Sequence, residues 1–315
     1  MRGRKNNKVI YCKVIYNIVR SMTISDMKFR GFTGLEIAAS VSGPGDGFPV
    51  VLAHGGGQTR LAWKRVVGEL GAAGYRAIAI DLRGHGDSEW ASDGAYDMRD
   101  FAADLVAISE QLGRRPALVG ASLGGIAGMI ATGELAPDSF ASLTLVDIAP
   151  KMEESGVSRV VGFMQAHVDD GFASPEEAAK VIAEYLPHRP ERKSSGNLNR
   201  YLRRRDDGRY YWHWDPRFIE NVTKSRDDSN EARDGGLNAL SKAVSKLTLP
   251  VHLIRGGSSD LVSEDAVAHL RELVPDAHYT DIAGAGHMVV GDRNDAFCSA
   301  ILAFLDQIHG KERAL

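Results

Sequence analysis

A serine between two glycines is the residue whose setting points most directly to chemistry. Ser122 lies in the pattern Gly-x-Ser-x-Gly, after an apolar, strand-like run at 115–119 and before a small-residue segment compatible with a helix. Glycines two residues on either side of a serine leave room for a sharp strand-to-helix turn that holds the serine in a strained conformation. We therefore predict a nucleophile elbow in which Ser122 is the attacking group.

A histidine late in the chain has the surroundings that a general base needs. A serine hydroxyl is a weak nucleophile at neutral pH, so it requires a base that a third group orients. His287 follows the last predicted strand in a loop where Gly284 and Gly286 clear space for the imidazole. We predict that His287 is this base. We expect His54 and His85, in glycine-rich turns after strands, to bond backbone carbonyls instead.

An aspartate after a late strand is the candidate for the third group. Asp260 follows the apolar run at 251–254 and precedes His287 in the chain. The order Ser, Asp, His is one of the known orders of a catalytic triad. Asp147, at the end of an earlier strand, is the competing candidate. We predict that Asp260 orients the imidazole of His287, with Asp147 bonding a neighbouring loop.

Backbone N–H donors for an oxyanion are predicted in two places. Acyl transfer requires such donors, and each contributes about 2.7–4 kcal/mol to lowering the barrier. Gly56 lies in a run of three glycines after a buried strand, and Leu123 directly follows the nucleophile. We predict that these two residues form the oxyanion hole. Gly57 is the alternative to Gly56, because consecutive glycines leave the register open.

Strands and helices alternate along the chain from Met27 onward, as expected of an α/β fold. Short apolar runs separated by amphipathic segments indicate parallel strands that are covered on both faces. A long interval without a strand of this kind begins near Lys151. We predict a core at 27–150 and 239–315, and a helical cap or lid at 151–238 over the carboxyl edge of the sheet, where such folds place their sites. Residues 1–26 are predicted to form a poorly ordered extension.

The overall composition excludes several classes of function. The chain has 315 residues and a formal net charge of −3, so it has no basic field for nucleic acid. Its two distant cysteines argue against a disulfide scaffold and against structural zinc. Lys13 interrupts the apolar residues near the start, and no stretch is long enough for stable membrane insertion. We expect a cytoplasmic protein.

These motifs together resemble the α/β-hydrolase superfamily. They comprise Ser122, Asp260 and His287 in order, the pair His54-Gly55, and the turn Asp-Leu-Arg-Gly-His-Gly-Asp-Ser at 81–88. The branch that they resemble holds microbial esterases, cofactor-free haloperoxidases (perhydrolases) and epoxide hydrolases. The resemblance implies a mostly parallel eight-stranded sheet with helices on both faces and a helical cap after the sixth strand.

A serine at the nucleophile position narrows the expected activity. Epoxide hydrolases and haloalkane dehalogenases carry an aspartate there, and Ser122 cannot form their alkyl-enzyme ester. The resemblance therefore implies a serine hydrolase that cleaves small-molecule carboxylic esters through an acyl-enzyme, with no metal and no organic cofactor. Perhydrolysis and cleavage of lactones or amides would use the same residues. A non-catalytic ligand receptor on the same fold is the alternative from another class.

An aromatic cluster in the predicted cap has two interpretations. Trp212, His213 and Trp214 lie in a short segment that gathers four aromatic rings and one imidazole. Aromatic side chains at this density could wall an apolar substrate pocket, or they could attach the cap to the core. We name these three residues as candidates for substrate binding and leave both interpretations open.

Overall fold

An eight-stranded sheet with the order β1-β2-β4-β3-β5-β6-β9-β10 forms the centre of the chain. The computed structural model describes residues 23–185, 198, 201–227, 230–285 and 294–312. The strands are β1 (Ser25–Arg30), β2 (Glu36–Ser42), β3 (Pro49–Ala53), β4 (Arg76–Ile80), β5 (Ala117–Ala121), β6 (Ser142–Val146), β7 (Leu202–Arg204), β8 (Tyr210–Trp212), β9 (Val251–Gly256) and β10 (His278–Ile282). β7 and β8 form a separate two-stranded antiparallel sheet.

The central strands are parallel, and both of their faces are covered. Every residue of β3, β5 and β6 is buried, which matches the continuous apolar sequences of β3 and β5, while β6 also buries Ser142 and Thr144. β1 pairs with β2, and β2 with β4, in antiparallel fashion, while all the other pairings in this sheet are parallel. The expected α/β-hydrolase architecture, with a mostly parallel eight-stranded sheet, is therefore confirmed.

Alternate residues of each strand face two separate apolar layers. The helices are α1 (Lys64–Ala72), α2 (Met98–Glu110), α3 (Leu123–Ile130), α4 (Glu154–Gln165), α5 (Pro175–Tyr185), α6 (Pro216–Asp227), α7 (Asn230–Val244), α8 (Glu264–Leu273) and α9 (Asn294–His309). Val50 and Leu52 of β3 pack in the layer that includes the first and last helices, α1 and α9. Val51 and Ala53 pack in the layer that includes α2, α3, α7 and α8.

Among the described residues between β6 and β9, in the interval predicted to be a cap, there are four helices and the small hairpin. These elements are α4, α5, β7, β8, α6 and α7. The boundary predicted after residue 238 falls inside α7, whose Leu240 and Val244 belong to an apolar layer of the sheet. We use the term insertion for residues 151–238, and the division into core and cap stays a prediction.

The amino-terminal boundary differs slightly from the expected one. β1 begins at Ser25, so the sheet includes two residues that were assigned to the extension. Residues 1–22 lie outside the described part of the chain. Within the described residues, no helix is both long enough and apolar enough to span a membrane.

Candidate active site

Ser122 occupies a sharp turn between β5 and α3. Its backbone has φ 45° and ψ −113°, a conformation that costs a residue with a side chain about 1–3 kcal/mol. The flanking glycines are required by close packing: a Cβ on Gly120 would lie 2.5 Å from the carbonyl oxygen of Gly124, and one on Gly124 would lie 2.5 Å from that of Ala53. The predicted strand-to-helix elbow is thus present, with the serine at its tip.

The glycine loop after β3 faces this elbow. The N–H of Gly55 donates to Oε1 of Gln58 at 3.1 Å, and the N–H of Gly57 donates to Nε2 of His85 at 3.3 Å. The N–H of Gly56 has no acceptor among the described residues. A Cβ on Gly55 would lie 3.2 Å from Cβ of Ser122, which shows how closely the loop approaches the serine. Of the three glycines, Gly56 is the one whose N–H stays available to a bound group.

A second free donor lies at the start of α3. The N–H of Gly124 donates to the carbonyl oxygen of His54, and that of Gly125 to the carbonyl oxygen of Ser122. Leu123, the first residue of the helix, has no acceptor for its N–H in the part of the chain that the structure describes. The first N–H groups of a helix carry partial positive charge and favour an anion. This donor and that of Gly56 are the pair that the sequence predicts for an oxyanion.

The pocket beside Ser122 has a polar wall from the core and an apolar wall from the insertion. Val160, Phe163 and Met164 share one face of α4, and Tyr185 ends α5. The Phe163 and Tyr185 rings stack at 4.2 Å between centroids. Burial raises the pKa of Tyr185 to about 12, so its hydroxyl stays protonated. The remaining described lining residues are Gly55, Gly56, Gly57, Gln58, Ala121, Ser122 and Val146.

The two expected structural histidines hold the turns in which they lie. Nδ1 of His54 lies 2.8 Å from the carbonyl oxygen of Gly55, and its Nε2 accepts from the N–H of Leu82 at 3.0 Å. Nδ1 of His85 lies 2.9 Å from the carbonyl oxygen of Arg83. Burial lowers the pKa of His54 to about 4 and that of His85 to about 3, so both are neutral. The structure therefore confirms the backbone-bonding role expected of them.

The two candidate acids have different surroundings. The carboxylate of Asp147, which is buried, accepts from the N–H of Gly256 and from Oγ of Ser259, both at 2.8 Å. Asp260, whose side chain is 36% exposed, pairs with Nε of Arg159 on α4 at 3.0 Å. Asp147 thus ties the loop after β9 to the end of β6, which is the loop-holding role proposed for it.

The aromatic cluster lies between the insertion and the core. Trp212 and Trp214 are buried, and their rings stack at 4.8 Å. Nε1 of Trp212 donates to the carbonyl oxygen of Ala166 within the insertion. His213 is fully buried and bonds backbone groups of the core. None of the three lines the described pocket at Ser122, so their placement favours attachment of the insertion over contact with substrate.

Some residues of the candidate site were not predicted from the sequence, and others lie outside the residues that the structure describes. His287, the predicted base, and Gly286 lie outside the described residues. Phe163, Met164 and Tyr185 line the pocket but were not predicted to be site residues, although the apolar residues at 157–168 have helical periodicity. Among the described residues, no three His, Cys, Asp or Glu side chains are grouped as metal ligands would be.

A family model described as the alpha/beta hydrolase fold matches residues 49–293. The chain belongs to the α/β-hydrolase family. It is 28% identical over 270 residues to an esterase from Mycobacterium tuberculosis, a match that covers 82% of each protein. It is 27% identical over 282 residues to a non-heme chloroperoxidase from Burkholderia pyrrocinia, covering 86% of this chain and 96% of that protein.

A solved structure of the Mycobacterium tuberculosis esterase supports the same assignment. It superposes with a TM-score of 0.68 at 25% identity, covering 96% of this chain and 100% of that one. This hydrolase family therefore includes relatives from the esterase and haloperoxidase branch that the sequence motifs indicated. Hydrolysis is the general activity that these relationships support for the chain.

Proposed function

We propose that this α/β-hydrolase is a serine esterase that cleaves small-molecule carboxylic esters through an acyl-enzyme on Ser122. The free N–H groups of Gly56 and Leu123 beside the strained serine carry this proposal. An anionic oxygen formed when Ser122 is acylated would need two such donors, and a neutral ligand pocket would not. The esterase relative agrees with this reading, since it matches along most of both chains.

The proposed chemistry uses five residues. Oγ of Ser122 attacks the ester carbonyl carbon while His287 accepts its proton, and Asp260 orients the imidazolium. The carbonyl oxygen becomes an oxyanion that the N–H groups of Gly56 and Leu123 stabilise. His287 then protonates the departing alcohol as the C–O bond breaks, which leaves the acyl group on Ser122.

Water completes the proposed cycle. His287 removes a proton from water, the resulting hydroxide attacks the acyl carbon, and the same two donors stabilise the second oxyanion. Collapse releases the carboxylic acid and returns the proton from His287 to Oγ of Ser122. The proposed reaction consumes one ester and one water, and it uses only these three side chains and the two backbone N–H donors. Hydrogen peroxide in place of water would give the peracid, which is the perhydrolase alternative.

The apolar wall of the pocket favours a short hydrocarbon chain on the substrate. Val160, Phe163 and Met164 offer no charged or hydrogen-bonding group, and Sδ of Met164 would lie 3.1 Å from a Cβ on Gly56. The thioether therefore closes the pocket near the proposed oxyanion donor. Esters with acyl chains of two to four carbons are the class that we expect to turn over fastest.

Labelling with a fluorophosphonate probe tests the proposal, because the probe reacts only with an activated serine. We expect the wild-type protein to be labelled and to hydrolyse p-nitrophenyl acetate and butyrate. We expect Ser122→Ala to lose labelling and at least a thousandfold in kcat while it keeps its folded far-UV and near-UV circular dichroism. A folded Ser122→Ala protein with unchanged turnover would refute the assignment. Labelling without turnover of any ester, lactone or amide would favour a ligand receptor.

A further inference from the structure

The peptide groups around Gly57 are held by two histidines from different parts of the chain. The N–H of Gly57 donates to Nε2 of His85, from the turn after β4. The carbonyl oxygen of Gly57 lies 3.3 Å from Nε2 of His213, from the insertion. Gly57 itself has φ 70°, in the left-handed region. Its neighbour Gly56 supplies the proposed oxyanion donor. The peptide group of that donor is held directly at the carbonyl oxygen of Gly55, which lies 2.8 Å from Nδ1 of His54, and the bonds of Gly57 hold the chain that follows it.

The backbone partners fix the protonation state of His213. Nδ1 of His213 accepts from the N–H of Gly86 at 2.9 Å, so this nitrogen carries a lone pair. Nε2 must then carry the proton and donate it to the carbonyl oxygen of Gly57. Burial, together with the nearby imidazoles of His85 and His54, holds the pKa of His213 well below its usual range. The ring is therefore a neutral two-point link between Gly86 and Gly57.

The same segment bonds another part of the insertion through the backbone of His213 and bonds the core just after this ring. The N–H of His213 donates to the carbonyl oxygen of Tyr201, and the N–H of Asp215 donates to that of Gly84. The carboxylate of Asp215 accepts from the hydroxyl of Tyr96 at 2.6 Å and pairs with Arg217. His213 thus lies at the point where the insertion docks on the turn after β4.

His213 cannot reach a substrate in the pocket at Ser122. Its side chain is fully buried, and it is not one of the described residues that line the pocket. Its two ring nitrogens are both engaged with backbone groups. Any effect of His213 on the reaction must therefore pass through the backbone that it bonds, at Gly57 of the glycine loop or at Gly86.

We propose that His213 is a positioning residue that, through Gly57, helps to set the orientation of the Gly56 N–H, so that docking of the insertion completes the oxyanion hole. This inference rests on the proposed function. The insertion would then contribute to the rate of the chemical step through its bond to Gly57, in addition to walling the pocket. A donor that is misplaced by about 1 Å can cost a hundredfold in rate, so a bond at this position is sufficient to matter.

Two substitutions separate the two bonds of His213. His213→Gln places an amide N–H near the position of Nε2 and keeps the donor to Gly57. His213→Asn places an amide oxygen near the position of Nδ1 and keeps the acceptor for Gly86, but it loses the donor to Gly57. His309→Asn is the matched control, because His309 is buried and hydrogen bonded to Ser142 in a different region of the core.

We expect His213→Asn to lower kcat by 10- to 100-fold with KM changed less than threefold, and His213→Gln to keep kcat within fivefold. Affinity for a boronic acid, which mimics the tetrahedral intermediate, should fall in parallel with kcat/KM. His309→Asn should lower Tm by a similar amount, but it should leave kcat/KM and the affinity for the boronic acid unchanged. Equal kinetic losses in the Asn and Gln variants, or losses that only follow Tm, would overturn the proposal.

An NMR measurement on the wild-type protein distinguishes failure of this inference from failure of the proposed function. The imidazole ¹⁵N shifts of His213 should show a proton on Nε2, and His213→Asn should move the Gly56 and Gly57 amide signals more than His213→Gln does. If the wild-type protein is neither labelled nor active but shows these signals, the esterase proposal fails and the bond to the loop stands. A proton on Nδ1 of His213 would overturn the positioning role whatever the activity.

Discussion

The backbone strain at Ser122 has a consequence for stability that can be measured. A residue with a side chain at φ 45° and ψ −113° is destabilised by about 1–3 kcal/mol, whereas glycine adopts this conformation readily. Ser122→Ala keeps the strain, and Ser122→Gly releases it. We expect Ser122→Gly to be about 1 kcal/mol more stable than Ser122→Ala in urea unfolding, although both are inactive. A Ser122→Gly protein less stable than Ser122→Ala by about 0.4–1 kcal/mol, the entropic cost of glycine alone, would show that the turn imposes no strain on its central residue.

The two candidate acids should respond differently to loss of charge. Removing the carboxylate that orients a catalytic histidine lowers kcat by about 10⁴-fold when the site otherwise stays intact. We expect Asp260→Asn to show this loss. We expect Asp147→Asn to keep kcat within tenfold and to lower stability by about 1–2 kcal/mol, because its carboxylate holds Gly256 and Ser259. Steady-state kinetics and urea unfolding measure the two effects.

Arg159 supplies the control for this comparison. Asp260→Asn also breaks the ion pair between Asp260 and Arg159, so a loss of activity could come from that pair. Arg159→Met removes the pair but keeps the carboxylate, and we expect kcat within tenfold of wild type. If Asp147→Asn were the inactive variant and Asp260→Asn stayed active, Asp147 would be the residue that orients the imidazole of His287.

At the scale of elements, α4 supplies the wall that should set chain-length preference. Each buried methylene of a substrate contributes about 0.8 kcal/mol, or roughly fourfold in kcat/KM, when space is available for it. Met164→Ala removes the thioether that closes the pocket near Gly56. We expect the ratio of kcat/KM for p-nitrophenyl octanoate to that for acetate to rise at least tenfold.

A second buried methionine controls for general loss of packing. Met129 lies in α3 and is fully buried, but it does not belong to the described lining of the pocket. Met129→Ala should therefore lose about 2–5 kcal/mol of stability, as large-to-small core substitutions do, with an unchanged ratio of octanoate to acetate turnover. An unchanged ratio in Met164→Ala would move the acyl site away from this wall.

The strands along the chain and the elbow could be predicted because local sequence indicates both. Continuous apolar runs such as β5 indicate strands that are buried on both faces, and the spacing of Gly120, Ser122 and Gly124 has a steric meaning of its own. The pocket wall could not be predicted in the same way. Periodicity shows that Phe163 and Met164 share a helix face, but it does not show what that face contacts, since this depends on how the insertion folds back.

The location of the aromatic cluster in the fold could not be predicted from local sequence either. The local sequence around Trp212 and Trp214 is the same whether they wall a pocket or attach the insertion. The folded structure distinguishes the two, because both rings are buried and neither lines the described pocket at Ser122. The boundary predicted after residue 238 fell inside α7 for a related reason. A helix that packs on the sheet near its end and belongs to the insertion near its start has no change of pattern at that point.

At the scale of the whole molecule, buried neutral histidines tie stability to pH. Burial lowers the pKa of His252 to about 4, as it does for His54, and that of His85 to about 3. These groups take up protons near pH 6.5 when the chain unfolds but only near pH 3–4 when it is folded. Their contribution to stability is therefore fully present above pH 6.5 and is lost progressively as the pH falls towards 4.

The size of this loss follows from the number of protons taken up. Each histidine that is protonated only in the unfolded chain changes the free energy of unfolding by about 1.4 kcal/mol per pH unit. We expect urea unfolding between pH 6 and pH 4.5 to show a steep decline for the wild-type protein. The same three imidazoles stay neutral above pH 5, so they should add no step to the pH–rate profile in that range. If His287 is the base, as proposed, its protonation should produce the fall in rate on the acid side of the profile.

His252 allows the origin of this slope to be tested without touching the site. Its Nε2 lies 2.9 Å from Oγ1 of Thr280 on the neighbouring strand β10, and His252 itself lies on β9, two strands away from β5, which leads into the elbow at Ser122. His252→Asn removes one titrating group, so we expect the slope to fall by about 1.4 kcal/mol per pH unit while kcat at pH 7.5 stays at the wild-type value. An unchanged slope would mean that His252 titrates alike in the folded and unfolded chains. The remaining slope then includes the protons taken up by His54, His85 and His213, whose imidazoles bond the glycine loop beside Ser122 and whose pKa values burial also lowers.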